Sequence, residues 1–462
     1  MKTGYFQEVS RKTATRLWIN NPTASESALA IEAGAIACTT NPTFAARMLR
    51  MPESREAALR IVDGAIMATG DDSEAASLVQ RRLIADMAMA FLPLFEASRG
   101  QEGFVSLQLD PHHEESADRI VAEALADFAL FPNCIAKIPV IPSGLAAIDC
   151  LVRLNKPVIA TEIMAVSQML AVCETYRRAS AESGHTPAFY VTHISGILDD
   201  QLKAEAEQAG AVLSAEAVRL AGVAIAKKQY RLMRERSLPG ILLGGGARGL
   251  HHFTELVGGK AHVTVNWLGT ADTLIETAPA IENRMDAPVP EAVIRELCAL
   301  LPTFDRAWRE DGLTPAEFAA FSPVVRFRNQ FLSGWNELLA TIAARRAVLS
   351  VPVRSFFHLG DAPAVEMRPG IFRSTLIHNP ETMLCHFHEK AGAHIDLHTH
   401  VPTQGGYVLR GRVRFFDKDG TVTEAGPGDA YLFGSNEPHG SDALEETDLL
   451  EFFVPARPEY LD

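Results

Sequence analysis

Nowhere does the sequence hold an apolar run approaching the ~18 residues that a membrane span requires, and its opening, MKTGYFQEVSRKTATR, has no apolar segment of the signal-peptide kind. A cytoplasmic protein without a membrane partner is the expectation. Cysteine is sparse: Cys38, Cys134, Cys150, Cys173, Cys298 and Cys385 are scattered, with no CxxC pair to suggest a local zinc or redox motif, and are expected to be free and buried. Basic charge is short as well. The 43 Lys and Arg against 57 Asp and Glu leave a net charge of -14, which argues against nucleic acid as a partner, though not against a local basic pocket for a small acidic ligand. Internal repeats and low-complexity tracts are missing too.

What is present is a long alternation. Eight short apolar runs, RLWIN (16–20), AIACTTN (35–41), FVSLQLD (104–110), CIAKIPV (134–140), PVIATE (157–162), FYVTHI (189–194), GILLGGG (240–246) and HVTVN (262–266), are separated by amphipathic segments. Eight strands with intervening helices is the count of a closed (β/α)₈ barrel, an α/β fold. EESADRIVAEALADFALF has helical periodicity up to Pro132-Asn133, and SGLAAIDCLVRLN runs to Lys156-Pro157. After the last strand a helical extension continues to about Arg346, with Thr314-Pro315-Ala316-Glu317 ordered as a helix start. Near Ser350 the period changes to short alternating segments with glycine turns, and Asp419-Gly420 marks a hairpin. Residues 1–350 are thus expected to form the barrel and its extension, and 351–462 a small antiparallel β-barrel. Of the fifteen histidines, the eight from His358 onward fall in this second part, which points to a chemistry of its own.

Lys137 stands in the middle of CIAKIPV, a run that otherwise reads as a buried strand. Burial of an unpaired ammonium is unfavourable and drives the group toward the neutral amine, the form that attacks carbonyls; alternatively, a lysine at a strand end reaches water. Active sites of such barrels lie at the C-terminal strand ends, which gathers Asn20, Thr39, Thr40, Asn41, Gln108, Asp110, Lys137, Thr161, His193, Arg248 and Asn266 around one mouth. The neutral hydroxyl and amide groups among them suit a polyol.

CTTNPT after the second strand, SLQLDP on the third, AKIPV on the fourth and ATEIMAVSQ on the fifth resemble the transaldolase and fructose-6-phosphate aldolase family over residues 15–345. The resemblance implies a class I aldolase or transaldolase of carbohydrate metabolism, the setting of the pentose phosphate pathway, in which Lys137 forms a Schiff base with a ketose and the C3–C4 bond is cleaved or formed. It implies that Thr40 and Asn41 hold substrate hydroxyls, that Gln108 and Thr161 position a catalytic water, and that Arg248 is a phosphate-binding arginine. Where the family has an aspartate at the end of strand one, this chain has Asn20, and an amide is no general base. An aromatic position and a second arginine align with Ile194 and Ile197. His193 is the nearest candidate for proton transfer, and phosphate is not the default substrate handle.

In GAHIDLHTHVPTQGGYVLRG, His398 and His400 stand two apart, with Gln404 close behind and His439 beyond the Pro427-Gly428-Asp429 turn. Histidines at i and i+2 on a strand share a face, and with an oxygen ligand and a third histidine they compose a shell for a divalent metal such as Mn, Fe, Ni or Zn. The motifs at Gly392–Gly411 and Gly428–His439 resemble cupins, double-stranded β-helices, over residues 355–462, with Gln404 in place of the usual glutamate. With the ending LLEFFVPARPEYL the likeness is to small cupins that open unsaturated uronate rings, and it implies that Glu451, Phe453 and Arg457 stand beside the metal. His386, His388 and His394 alternate on strands of the same barrel and either face the pocket or are ordinary strand residues, the second being the expectation.

These readings combine into a two-domain sugar enzyme that takes a small-molecule sugar as its substrate: a Schiff-base barrel needing no cofactor, fused to a metal cupin that opens or isomerises the sugar. A homo-oligomer is expected. The alternative is a sugar-binding protein with a regulatory cupin and a weakly active or inactive barrel.

Overall fold

The computed structural model describes residues 4–461, which fall into two compact units, one ending at Leu339 and the other starting at Ala340. The first contains a closed barrel of eight parallel strands: β1 (Arg16–Asn20), β2 (Ala37–Thr39), β3 (Val105–Gln108), β4 (Cys134–Pro139), β5 (Val158–Ile163), β6 (Phe189–Ile194), β7 (Ile241–Gly245) and β8 (Ala261–Val265). Each of the eight apolar runs supplies one strand, and β1 closes the ring against β8. Because both faces of such strands are covered, they read as near-continuous hydrophobic runs.

The barrel is filled low down. Trp18, Ala37, Phe104, Ile135, Ile159, Tyr190 and Leu243 form one buried cluster, and the Trp18 indole N–H donates to His262 Nδ1 at 3.0 Å. Side chains alternate along a strand. The next residues of the same parity are therefore Asn20, Thr39, Ser106, Lys137, Thr161, Thr192, Gly245 and Thr264, so an apolar plug is capped by a largely polar ring at the C-terminal end. Thr314 does form a capping box with Glu317, but it starts a short 3₁₀ turn, Pro315–Ala320, and the long helix begins only at Ser322 and runs to Leu349.

The second unit is antiparallel. Its strands are β9 (Val365–Arg368), β10 (Ile371–His378), β11 (Met383–Glu389), β12 (His394–His398), β13 (Thr403–Arg410), β14 (Val413–Asp417), β15 (Val422–Ala425), β16 (Ala430–Phe433), β17 (His439–Ala443) and β18 (Thr447–Val454). They form a six-stranded sheet, β16-β13-β18-β11-β10-β9, and a four-stranded sheet, β12-β17-β14-β15, around one apolar core. Val413–Asp417 and Val422–Ala425 pair as the expected hairpin, with Gly420 at φ 76° in its turn.

Candidate active site and candidate metal centre

Lys137 lies on β4 with 5% of its surface exposed, and its ammonium donates to the Thr40 carbonyl at 3.2 Å. Burial holds its pKa down at about 8, against a smaller opposing pull from the Glu162 carboxylate. A cavity of about 130 Å³ opens above it, walled by Asn20, Thr39, Asn41, Thr192, Thr264 and Arg248 and, on its apolar side, by Ile194, Ile197, Phe327 and Phe331. The Phe331 ring centroid is 5.9 Å from the lysine nitrogen.

Not every expected residue reaches this mouth. His193 is fully buried; its Nε2 faces the Gly222 carbonyl at 3.0 Å, outside the strand ring, and burial depresses its pKa to about 3. The reason is parity: Thr192, not His193, follows Tyr190 on the inner face, so His193 is not placed for proton transfer. The same alternation puts Thr39 into the cavity and turns Thr40 away, its hydroxyl bonded to the Ser106 carbonyl at 2.5 Å. Asn20 is held in an amide network, donating to Asn266 Oδ1 at 2.8 Å and accepting from Thr39 Oγ1 at 3.0 Å. Asn266, exposed, does not line the cavity. Asn41 accepts from Thr43 N and Oγ1, leaving its amide nitrogen for a ligand. Arg248 reaches the wall but its Nε already pairs with Asp200 at 3.0 Å. Asp110 is structural, bonded to Ser73 and to His112.

Gly196 makes the Arg248 wall possible. A Cβ there would lie 2.2 Å from the Gly246 carbonyl oxygen and 2.5 Å from Arg248 Cγ.

Two further features were not singled out in the sequence. Glu162, directly after Thr161, sits at φ 61° beside a register shift in the β5–β6 pairing, and its fully buried carboxyl accepts from Gln108 Nε2 at 3.1 Å. Gln108 Oε1, Thr161 Oγ1 and Glu162 Oε2 are buried without a hydrogen-bond partner. A charged residue inside IATEIM is the same signal that drew attention to Lys137. Phe327 and Phe331 come from the long C-terminal helix, which nothing local in the sequence assigns to the mouth.

In the second unit, His398, His400 and His439 converge, with one nitrogen of each within 4.8 Å of the others. His398 ends β12, His400 lies just beyond it rather than on the strand, and His439 opens β17. Each ring is oriented in one way: Nδ1 meets a backbone carbonyl two residues away, Asp396 O at 2.9 Å, Pro402 O at 2.7 Å and Glu437 O at 2.8 Å. Those bonds place the proton on Nδ1 and leave each Nε2 lone pair free, and His439 Nε2 is buried without a partner. His400 Nε2 faces Gln404 Oε1 at 2.8 Å, while Gln404 Nε2 donates to Glu451 Oε1 at 2.8 Å. Two acceptors thus face one another, an arrangement that suits a cation held between them. The residues present fit a divalent metal.

Around this centre a cavity of about 50 Å³ is lined by Glu451, Phe453 and Arg457 and by Glu389 and Tyr460. Burial raises Glu451 to about 7 although Tyr431 and Gln404 donate to it. Burial, and then the neighbouring Glu451 charge, push Glu389 up to about 8. Glu389 was legible in principle, since Cys385, Phe387 and Glu389 alternate onto the buried face of β11. His386 and His388 pair instead with Asp448, and His394 with Asp442.

A parallel barrel with a buried lysine at its polar C-terminal mouth, joined to an antiparallel barrel with three converging imidazoles, defines the class. Residues 19–286 match the transaldolase/fructose-6-phosphate aldolase family model, and residues 385–454 match the cupin domain model. The chain belongs to the transaldolase/fructose-6-phosphate aldolase family and carries a C-terminal cupin domain. It is similar to a transaldolase of Mycobacterium leprae, 30% identical over 276 residues covering 53% of this chain and 70% of that one. A transaldolase of Parafrankia sp. is 26% identical over 299 residues, 58% and 78% of the two chains. With a transaldolase of Mycobacterium ulcerans the identity is 31% over 158 residues, 31% of this chain but only 40% of the relative's length. Among solved structures, KdgF from Halomonas sp. is 30% identical and covers 23% of this chain and 100% of its own, with a TM-score of 0.22. An RmlC-like cupin from Shewanella frigidimarina is 24% identical over 23% and 96%, with a TM-score of 0.23.

Proposed function

We propose that the barrel is a class I aldolase or transaldolase acting on the C3–C4 bond of a ketose through an imine at Lys137. The observation that carries this reading is an amine buried at the barrel mouth, its pKa lowered to about 8 by burial, beneath a cavity walled by hydroxyl and amide groups. A lysine so placed has a useful neutral fraction near pH 7 to 8, and the imine it forms withdraws electrons from C3 as the bond breaks. Thr39 and Asn41 hold substrate hydroxyls. Gln108 and Thr161, each with an orphaned oxygen, position a catalytic water. Among the described residues Arg248 is the one cation in the cavity lining besides Lys137, and Ile197 stands where the family has a second arginine, so phosphate is not the required handle.

The cupin holds one divalent metal through His398, His400, Gln404 and His439. Such an ion, bound there, would supply Lewis-acid polarisation of a sugar oxygen. Arg457 meets an anionic group of the sugar, Glu451 holds or moves a proton, and Phe453 and Tyr460 exclude water. The pairing has a chemical logic: the aldolase needs an open ketose, and the cupin opens or isomerises the ring. The active protein is a cytoplasmic homo-oligomer.

Borohydride reduction in the presence of a ketose panel, phosphorylated, sulfonated, carboxylated and neutral, tests the barrel. The expected result is a covalent adduct mapped to Lys137 and lost in Lys137→Met; a wild-type chain that never labels would refute the reading. Metal analysis of the full chain and of His400→Ala, with ring-opening assayed on cyclic sugar, tests the cupin.

A further inference from the structure

Resting on the imine reading of Lys137, we propose that Glu162 is the catalytic acid of the barrel. Its carboxyl, turned to Gln108 beside Lys137, protonates the hydroxyl of the carbinolamine formed when Lys137 adds to the ketone carbon. In that step the carbon–oxygen bond breaks, the oxygen leaves with the Glu162 proton as water, and the nitrogen lone pair forms the C=N bond. The iminium carries the positive charge and Glu162 is left as carboxylate.

Four observations carry the assignment. Position comes first: the carbinolamine oxygen is bonded to the carbon that Lys137 Nζ holds, and Glu162 is hydrogen-bonded to Gln108, which stands opposite Lys137 in the β3–β4 register. Backbone is second. Thr161 takes the inner-face position on β5, so a regular strand would turn its neighbour outward. Glu162 instead adopts φ 61°, rare for a residue with a Cβ, beside the β5 register shift, and its carboxyl meets Gln108 on β3. Third is availability: Oε1 is anchored by Gln108 Nε2, while Oε2 is buried with no partner. Fourth is the fate of the other candidates. Asn20 has no acidic proton, His193 faces the Gly222 carbonyl, Asp110 is bonded to Ser73 and His112, and Glu114 pairs with Arg328 at 2.6 Å.

The charges facing Glu162 agree. Lys137 on β4 and Arg328 on the Ser322–Leu349 helix favour its anion, whereas Glu114, after the Pro111–His113 turn, opposes it. Burial outweighs both cations and pushes Glu162 well above the usual carboxylate range, while burial holds Lys137 below the usual amine range. The reactive form is neutral amine with neutral acid, which has the same proton count as the ion pair. Adduct formation therefore passes through a maximum: below it the amine is protonated, above it the acid is lost.

The test is the rate of borohydride-trapped adduct formation on Lys137 in the full chain, measured against pH with a ketose that labels the wild type. Glu162→Gln is expected to slow this rate by about 10²-fold or more and to abolish the alkaline limb while the thermal midpoint stays native. Gln108→Glu added to Glu162→Gln should restore part of the rate, because it returns a carboxyl to the same hydrogen-bonded pair. A rate and alkaline limb unchanged in Glu162→Gln overturn the proposal, as does a normal labelling rate with only later turnover impaired. Should the single variant misfold, a wild-type rate that keeps rising above pH 9 overturns it. A wild type that never labels is a different result, the failure of the imine reading itself.

Discussion

The two sites hold their reactive groups by opposite means. In the cupin, each imidazole is oriented by a carbonyl two residues away in the chain: Asp396 for His398, Pro402 for His400, Glu437 for His439. In the barrel, Lys137 is set by groups remote in sequence: the Thr40 carbonyl, the Phe331 ring, and Glu162 with its Gln108, Glu114 and Arg328 neighbours. Local anchoring fixes a tautomer and makes a set of lone pairs. Long-range enclosure fixes a dielectric environment and shifts a pKa. One arrangement suits a cation, the other a nucleophilic amine.

The sharpest break between the two comes from crossing their variants. Lys137→Met is expected to reduce C–C bond turnover on the order of 10⁴-fold or more while metal content per chain, by elemental analysis, is retained. His439→Ala should weaken metal binding by at least about 100-fold and leave borohydride labelling of Lys137 intact on a substrate supplied open. Loss of labelling in the histidine variant would mean that the sites are not independent.

Enclosure is tested by Phe331→Ala. Phe331 is 1% exposed, so its truncation should cost roughly 3 to 5 kcal/mol in denaturant unfolding. It also admits water to Lys137. The amine pKa then rises from about 8 toward its ordinary value, and the acid limb of the labelling profile moves to higher pH, about tenfold in neutral amine at pH 7 for each unit. An unmoved limb would show that burial by this ring is not what depresses the lysine.

A smaller effect is expected at Gly196. An added Cβ must displace the Gly246 carbonyl or Arg248, so Gly196→Ala should cost ~1 to 3 kcal/mol and raise KM for anionic ketoses more than it lowers kcat. The smallest separates neighbouring threonines: Thr40→Val should cost ~1 kcal/mol with KM unchanged, whereas Thr39→Val should raise KM. The reverse pattern would return Thr40 to the substrate.

What was legible follows from the same contrast. The eight strands could be read because period is a local property, and His398, His400 and Gln404 because they stand close together; His439, distant in sequence, joined them through the resemblance to cupins. Glu389 was missed although β11 alternates it inward, because its raised pKa comes from burial in the assembled sheet and from the charge of Glu451 on β18. His193 and Thr40 were drawn to the mouth by nearness in sequence to strand ends, without the inner-face parity that excludes them.

The sequence by itself determined the two folds, the lysine in a strand and the His398, His400 and Gln404 group, since each rests on hydrophobic period or short spacing. Only the tertiary structure decided which strand-end residues face inward, because barrel closure and the Trp18 to Leu243 plug set the parity of every strand at once. It alone placed the helix bearing Phe331 against Lys137, and turned Glu162 from an outward neighbour of Thr161 into a buried acid through one residue at positive φ. Burial and long-range charge are properties of the assembled barrel, and no window of the sequence contains them.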